Sequence, residues 1–460
     1  MTQPGIEHLN REELIQIILE QAAHIFQLQK EVESLRMKLN QSQKPPTNSK
    51  NSSQPPSQDQ KPGKLVNRPK RKHGPPNGHE KHERKFVAQP DHVVELKAKI
   101  CSDCQTDLRG QAAELVAVNQ ITELPEPQAK VIEVRQYSVT CPCCGRVEIM
   151  LPPEGLEMER SFGARLEATV TYYRQEQHMS YERTKAGLLV VHGAEISEGG
   201  IDQIMQRSGQ KGIQSAADIQ RSVQHSAVVN SDETSARVDG QKVWEWVFCT
   251  LTAVLHVIRP TRSTDEIHRV MGDHQAEVWG CDCFSAQLKS GAKGIQICLA
   301  HQLRNLQAVV DQYPFSFWAR AMQALFRYAV HLHNQRSKLS INQYQAEALR
   351  IEWICNRLLA RSVTEPEARK LQKRYQKHRQ HLFVFLYRLD VPPTNNVSEQ
   401  ALRPSVIHRK VTGGFRSQWG ADAYAALASV IDTAALSGVN AFDALQNLIG
   451  KPALPLPSTL

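Results

Sequence analysis

Three acidic residues stand in chemically marked settings. Asp232 lies in Val-Val-Asn-Ser-Asp-Glu-Thr, Asp282 in Val-Trp-Gly-Cys-Asp-Cys-Phe and Glu399 in Thr-Asn-Asn-Val-Ser-Glu-Gln. The first two end apolar, strand-like runs, and the third opens a helix-like run. Carboxylates at strand ends, with one more on a helix, can hold two hard divalent cations beside a phosphodiester. That chemistry needs rigid oxygen ligands and little covalent participation from the protein. Taken singly, an aspartate at a strand end is as readily a turn residue. Glu399 and Arg403, four apart, also read as a surface pair. The order of the three acids on their elements is what favours a site. Glu233 is a fourth acid, but alternation along an extended strand points it away from Asp232.

Sulfur forms a second group. Cys101-Ser-Asp-Cys104 and Cys141-Pro-Cys-Cys144 are paired knuckles joined by strand-like sequence such as 130–140. Cys101, Cys104, Cys141 and Cys144 match a structural four-thiolate zinc site, with Cys143 a spare thiol that could replace one of them. Ten cysteines in a cytosolic chain do not suggest a disulfide framework.

The acids need elements to position them. Residues 226–230, 243–249, 253–258 and 277–281 read as strands, with a hairpin turn at Asp239-Gly240 and a helix over 264–271. The order is β-β-β-α-β, with an acid ending the first strand and another ending the fourth. This is the ribonuclease-H-like arrangement, in which those two strands are neighbours. Most of the stretch between Asp282 and Glu399 reads as an α-helical insertion, with helices over 316–336, 342–361 and 364–389. Thr364-Glu-Pro-Glu367 reads as a capping box for the last. That helix carries Arg369, Lys370, Lys373, Arg374, Lys377 and Arg379, either a contact for a DNA backbone or a solvated basic face. Thr394 reads as the cap of the Glu399 helix and Pro404 as its end. A glycine-broken loop, 413–420, and an Ala-rich helix over 421–436 follow.

Ahead of the sheet, 163–224 reads as helices. The break at His192-Gly193 and Ser197 as an N-cap resemble a helix-turn-helix, though helix–Gly–helix also serves plain packing. Near the N-terminus Leu14, Ile18, Gln21, Ile25, Leu28, Val32, Leu35 and Leu39 form a heptad seam, read as a parallel coiled-coil dimer. The chain has 460 residues and a net charge of +9. Nine Lys/Arg against two Glu between Lys61 and Lys85 give +7 of that, leaving +2 elsewhere. Arg68, Lys70, Arg71 and Lys72 lie in this Pro/Ser-rich arm, and the composition suggests a flexible polyanion-binding segment. No apolar run is long enough to span a bilayer, and the N-terminus lacks a signal-peptide pattern, so no membrane partner is expected.

The expected organisation is a coiled-coil helix at 9–40, a basic linker at 41–90 and a zinc-binding domain at 91–155. A helical DNA-binding domain follows at 156–225. A catalytic domain at 226–436, with its insertion at 303–390, precedes a tail at 437–460.

Together these motifs resemble the insertion sequence 66 family of bacterial DDE transposases. The resemblance runs nearly end to end, through the coiled coil, the Asn-Ser-Ser-Gln-Pro-Pro-Ser arm, the paired knuckles, Ser-Asp-Glu-Thr, Cys-Leu-Ala-His, Asn-Asn-x-x-Glu and Ile-Asp-Thr-Ala. It implies a multidomain α/β protein with a ribonuclease-H-like catalytic domain. Asp232, Asp282 and Glu399 would be the triad, holding two Mg²⁺ or Mn²⁺ ions for strand cleavage and strand transfer. Its partners would be double-stranded DNA with terminal inverted repeats, a second copy of the chain and small accessory proteins. The setting would be the bacterial cytoplasm, at the nucleoid. Cys298 and His301 would have a structural or positioning role, since two ligands alone underdetermine a zinc site. Asn395 and Asn396 would orient the acidic helix or meet phosphate, and Arg403, His408, Arg409 and Arg416 would contact DNA backbone. The chain departs from the family in Gln400, where the family often has Arg, and in Phe284 and Gln287, where it often has tyrosines. A catalytically silent, domesticated DNA-binding protein and a ribonuclease-H-like nuclease are the alternatives.

Overall fold

The computed structural model describes residues 20–32, 34–35, 48, 50–52, 85–124, 126, 128–153 and 155–450. Residues 20–32 are helical (α1), and within this stretch and just beyond it Ile25, Leu28, Val32 and Leu35 are all exposed. Leu14, Ile18, Leu39 and the Arg68–Lys72 cluster lie outside the described residues.

Two short strands, β1 (Ser138–Thr140) and β2 (Val147–Ile149), pair antiparallel around the second cysteine knuckle. The strand expected over 130–140 thus forms only at its end. Helices α2 (Ala164–Gln175), α3 (Tyr181–His192) and α4 (Glu198–Gln224) come next. Gly193 takes φ +61° and ends α3, and the Ser197 hydroxyl accepts from the Gly200 N–H at 3.1 Å to start α4.

The main sheet has five strands: β3 (Val228–Val238), β4 (Gln241–Cys249), β5 (Val254–Arg259), β6 (Val278–Cys281) and β7 (Gly294–Ile297). Helix α5 (Thr264–Met271) links β5 to β6. The strand order is β5-β4-β3-β6-β7, so the first and fourth strands are hydrogen-bonded neighbours, and parallel. β7 escaped the sequence reading because it is four residues long, with only Ile295 and Ile297 apolar beside Gly294 and Gln296. Asp239 (φ +46°) and Gly240 (φ +71°) make the β3–β4 hairpin with both central residues left-handed, which matches strand twist.

Alternation along the strands gives the sheet two apolar faces. Val229, Trp246, Phe248, Leu255 and Trp279 pack with Val223 of α4 and with Ile267, Val270 and Met271 of α5. Val228 and Val278 of the other face join the insertion. That insertion comprises α6 (Leu299–Gln312), α7 (Phe317–Asn334), α8 (Ile341–Leu359), α9 (Pro366–Lys377) and the short α10 (Val384–Tyr387). The single helix expected over 364–389 is therefore broken, with a 3-10 turn at Arg379–His381 between α9 and α10. Its capping box is also absent. Pro366 sits at the first helical position, which makes Glu365 the N-cap, and Glu367 instead accepts from the Tyr313 hydroxyl.

Helix α11 (Asn396–Thr412) carries Glu399, α12 (Gln418–Leu436) follows, and α13 (Ala441–Ile449) packs back onto α2 and α12. Three expectations change here. Asn395, not Thr394, is the N-cap of α11; Pro404 lies inside the helix rather than ending it; and the supposed tail contains α13. A proline removes one donor, and the rest of α11 is held by contacts with β3 and β4. Among the described residues no single helix is long and apolar enough to cross a membrane, although α12 and α13, bent by 119°, pass by length and composition as a pair.

Candidate functional site

The register of the two central parallel strands sets the site. β3 and β6 pair through Asn230 and Gly280, and Asp232 and Asp282 each lie two residues beyond that pair. Gly280 is needed there, because a Cβ would come within 2.0 Å of the Asn230 side chain. Asp282 leaves β6 at once, whereas Asp232 does not end its strand. β3 continues to Val238 against β4, with Ala236 and Val238 buried again beyond the acid. The long antiparallel partner, absent from a local reading of β3, carries the strand onward.

Glu399 reaches the site because Asn395 anchors the start of α11. The Asn395 side chain is buried, and its Nδ2 donates to the Ser231 carbonyl at 2.7 Å, beside Asp232. Its backbone N–H points to Cys298 Sγ at 3.1 Å, and its Oδ1 accepts from Ser398 Oγ at 2.7 Å. Cys298, at the N-cap of α6, is itself buried, and its N–H donates to the Cys281 carbonyl at 2.7 Å. The Cys-x-x-His motif therefore ties together β6, α6 and the acidic helix. Asn396, the other expected asparagine, is exposed.

Each acid has a distinct environment. Asp232 is held well above the usual carboxylate range by burial first, and also by the charges of Glu233, Asp282 and Glu399. Its Oδ1 accepts from the Glu233 N–H at 2.9 Å. Asp282 Oδ1 accepts from the Phe284 N–H at 2.8 Å across a turn in which Cys283 takes φ +84°. Glu399 Oε1 accepts from Arg304 Nη2 at 2.9 Å and lies 3.4 Å from His301 Nδ1. That nitrogen is buried without a hydrogen-bond partner. Burial and then Arg304 push His301 down, against the opposing charges of Glu399 and Asp282. Arg304 was missed in the sequence; its signal is the three-residue step from His301 along one helix face.

Glu233 faces the opposite side, as alternation requires. It pairs with Arg262 and accepts from Gln287 Nε2 at 2.7 Å. Burial raises its pKa to about 7 despite Arg262. Gln287, one of the two residues standing where the family often has tyrosines, is fully buried and also donates to the Ser231 carbonyl at 3.3 Å. Arg262 stacks on Phe284, the other such residue, 3.8 Å from the ring centroid.

The arginines expected on DNA divide. Arg403 and Arg416 are exposed. Arg409 is turned into the fold, with Nη2 donating to Thr234 Oγ1 at 3.1 Å. His408 is buried between Phe415 and Tyr424, and burial lowers its pKa to about 3. Both sit on the inner side of α11, a periodicity that Pro404 concealed.

The carboxylates suit a divalent cation. An acid pushed toward protonation by burial and like charges regains its ionised form when a cation binds beside it. Among the described residues, the set of three potential ligand atoms lying within 4.8 Å of one another is that of Cys298, His301 and Glu399, not the three acids.

The cysteine knuckles share one backbone pattern. The Cys101 N–H donates to the Thr106 carbonyl at 2.9 Å and the Gln105 N–H to the Cys101 carbonyl at 3.1 Å; Cys141, Arg146 and Gly145 repeat this at 2.8 and 2.9 Å. Gln105 (φ +60°) and Gly145 (φ +72°) are left-handed at the equivalent position. Cys104 is lowered to about 7, chiefly by hydrogen bonds to Thr106, and Cys141 is lowered by backbone N–H groups of Cys144 and Cys143. Hydrogen bonds that favour thiolate are what a zinc ligand needs. The four expected ligands are not gathered into one cluster of ligand atoms in the structure.

A search of curated proteins found no match. The model of the transposase IS66 family matches residues 159–423, more than half of the chain, and includes all three acids. The model of the zinc-finger binding domain of transposase IS66 matches residues 98–145, which hold both knuckles. The finger suggests zinc, and a DDE-type family suggests a divalent metal at the acids. The chain belongs to the transposase IS66 family.

Proposed function

We propose that this transposase cleaves and joins DNA strands at the ends of an insertion sequence, with Asp232, Asp282 and Glu399 as its metal-ligating triad on a ribonuclease-H-like sheet. The observation that carries the reading is the parallel register of β3 and β6, which sets two acids side by side, with the third docked onto Ser231 by Asn395. When bound, two Mg²⁺ or Mn²⁺ ions would supply Lewis-acid activation of the attacking oxygen and neutralise charge on the leaving oxygen. The protein's part is positional. Asn395 holds the third acid, Arg304 and His301 border it, and the loop after Asp282 is fixed by its own carboxylate.

Cys101, Cys104, Cys141 and Cys144 would hold a structural zinc ion. The exposed seam of α1 would pair with a second copy, and the Arg68–Lys72 arm, Arg403 and Arg416 would contact the phosphates of DNA bearing terminal inverted repeats. Small accessory proteins would complete the complex.

Nicking of a fragment carrying the element's ends in Mg²⁺ or Mn²⁺ tests this. Asp232→Asn and Glu399→Gln should each lower the rate more than about 100-fold, roughly 3 kcal/mol of barrier. Activity surviving both substitutions would remove the triad from these residues. End binding without nicking, even with accessory proteins added, would favour a silent DNA-binding protein.

A further inference from the structure

α6 and α9 lie antiparallel. Gln302 of α6 is near Tyr375 of α9, whose hydroxyl approaches its carbonyl at 3.5 Å, while Tyr313, just past α6, bonds Glu367 in the first turn of α9. The N-terminal end of α6 is the end that carries His301 and Arg304 to Glu399. The C-terminal end of α9 is therefore the one nearest the acids. Arg374 and Lys377 are at that end. A cleft of about 230 Å³ opens between the two helices, lined by Asn305 and Gln312 on one side and by Lys370 and Arg374 on the other.

Lys370, Arg374 and Lys377 follow at four- and three-residue steps, which puts them on one face of α9. All three are exposed, and among the described residues none is in an ion pair. Other basic side chains of the same segment are engaged. Arg379 pairs with Glu352, and Arg369 donates to the Val363 and Thr364 carbonyls. Lys370 and Arg374 line the cleft and Lys377 continues their stripe beyond it; Lys373, also exposed and in no ion pair among the described residues, does not line it. Glu367 lines the far end, where its carboxylate is occupied by Tyr313.

We propose that the α6–α9 cleft is a binding track for the phosphodiester backbone of the DNA strand that enters the carboxylate site. The seven-residue step from Lys370 to Lys377 rises about 10 Å along the helix. A strand of duplex DNA carries one phosphate per roughly 3.4 Å of axis, so the stripe is long enough to meet about three. Asn305 and Gln312 line the facing wall. The cleft gives the insertion a role in seating substrate, and this rests on the carboxylates being the reaction centre.

The test is binding of the full chain to a short duplex ending in the element terminus, measured across a salt series. In Lys370→Ala/Arg374→Ala/Lys377→Ala, affinity should fall at least tenfold. The slope of log affinity against log salt should become shallower by roughly 0.9 for each phosphate that the variant no longer neutralises. Arg374→Glu alone should weaken binding more than Arg374→Ala. Lys289→Ala, away from the cleft, should leave the slope unchanged, and thermal melting should show all variants folded. Wild-type affinity and slope in the folded triple variant would overturn the proposal. The two readings fail separately: a non-nicking wild type whose binding still depends on these three charges would keep the track and remove the triad. Unchanged binding with metal-dependent nicking intact would do the reverse.

Discussion

At the scale of single residues, Asn395 matters as much to the site as the acids do. Its amide joins the acidic helix to the Ser231 carbonyl, and its Oδ1 accepts from Ser398 Oγ. Asn395→Ala removes the acceptor of Ser398 Oγ and leaves the Ser231 carbonyl with the longer bond from Gln287, at a cost of about 1–3 kcal/mol. A lower melting temperature and a larger loss of nicking than of DNA binding are the expected outcomes; an unchanged nicking rate would mean that Glu399 is positioned without it. His256 is a second case. Full burial opposes its protonation, but Asp432 at 2.9 Å and Glu245 at 3.2 Å outweigh burial and raise its pKa to about 9. The folded-state value lies above the unfolded value of about 6.5. The stabilisation is therefore complete below about pH 6.5 and lost as pH rises through 9. Melting temperature should fall across that window, and His256→Gln should flatten the fall.

At the scale of elements, α12 closes an open sheet edge. β5 is an edge strand, and Ser429 and Thr433, one helical turn apart, supply its missing partners. Thr433 Oγ1 accepts from the Val254 N–H at 3.0 Å, and Ser429 Oγ from the His256 N–H at 2.8 Å. Thr433→Val keeps the shape but leaves that N–H unpaired, so it should destabilise by about 1–3 kcal/mol in denaturant unfolding. α12 also meets α4 closely: a Cβ on Gly209 would lie 2.7 Å from Ala423 Cβ. α4 therefore shares its core with the sheet, across the boundary expected at 225/226. The motif Ile-Asp-Thr-Ala was visible as a family feature, yet its work as an edge cover was not, because a helix side chain gives no sign of which strand it will reach.

Over the whole molecule, stability is unevenly distributed. The sheet and its helices bury a large apolar core, while the knuckle region keeps Val139, Val147, Ile149 and Ile132 exposed. A segment with so little core needs a metal or a partner to hold one shape. Chelation of zinc should therefore raise proteolysis within 98–145 while leaving the melting transition of the sheet domain in place. A single joint transition would show that the two are coupled. Three apolar seam residues of α1, and Leu35 just beyond it, are also exposed, so Ile25→Asp/Leu28→Asp should lower the solution mass from dimer to monomer, and a wild-type monomer would exclude the coiled-coil dimer.

What the sequence determined by itself was local chemistry and order. The acids, the knuckles, the glycine at 193, the hairpin at 239–240 and the strand-strand-strand-helix-strand order all depend on short-range patterns: turn residues, alternation and ligand spacing. Tertiary structure decided the rest. It carried β3 past Asp232 because β4 pairs with it, kept α11 helical through Pro404 because the sheet holds it, and broke the basic helix after Lys377. It also turned Arg409 inward, set Arg304 on Glu399, and left Lys370 and Arg374 lining a cleft. The physical reason is range. A side chain's type is written at its own position, but its partner can stand on an element 175 residues away, and only packing brings the two together.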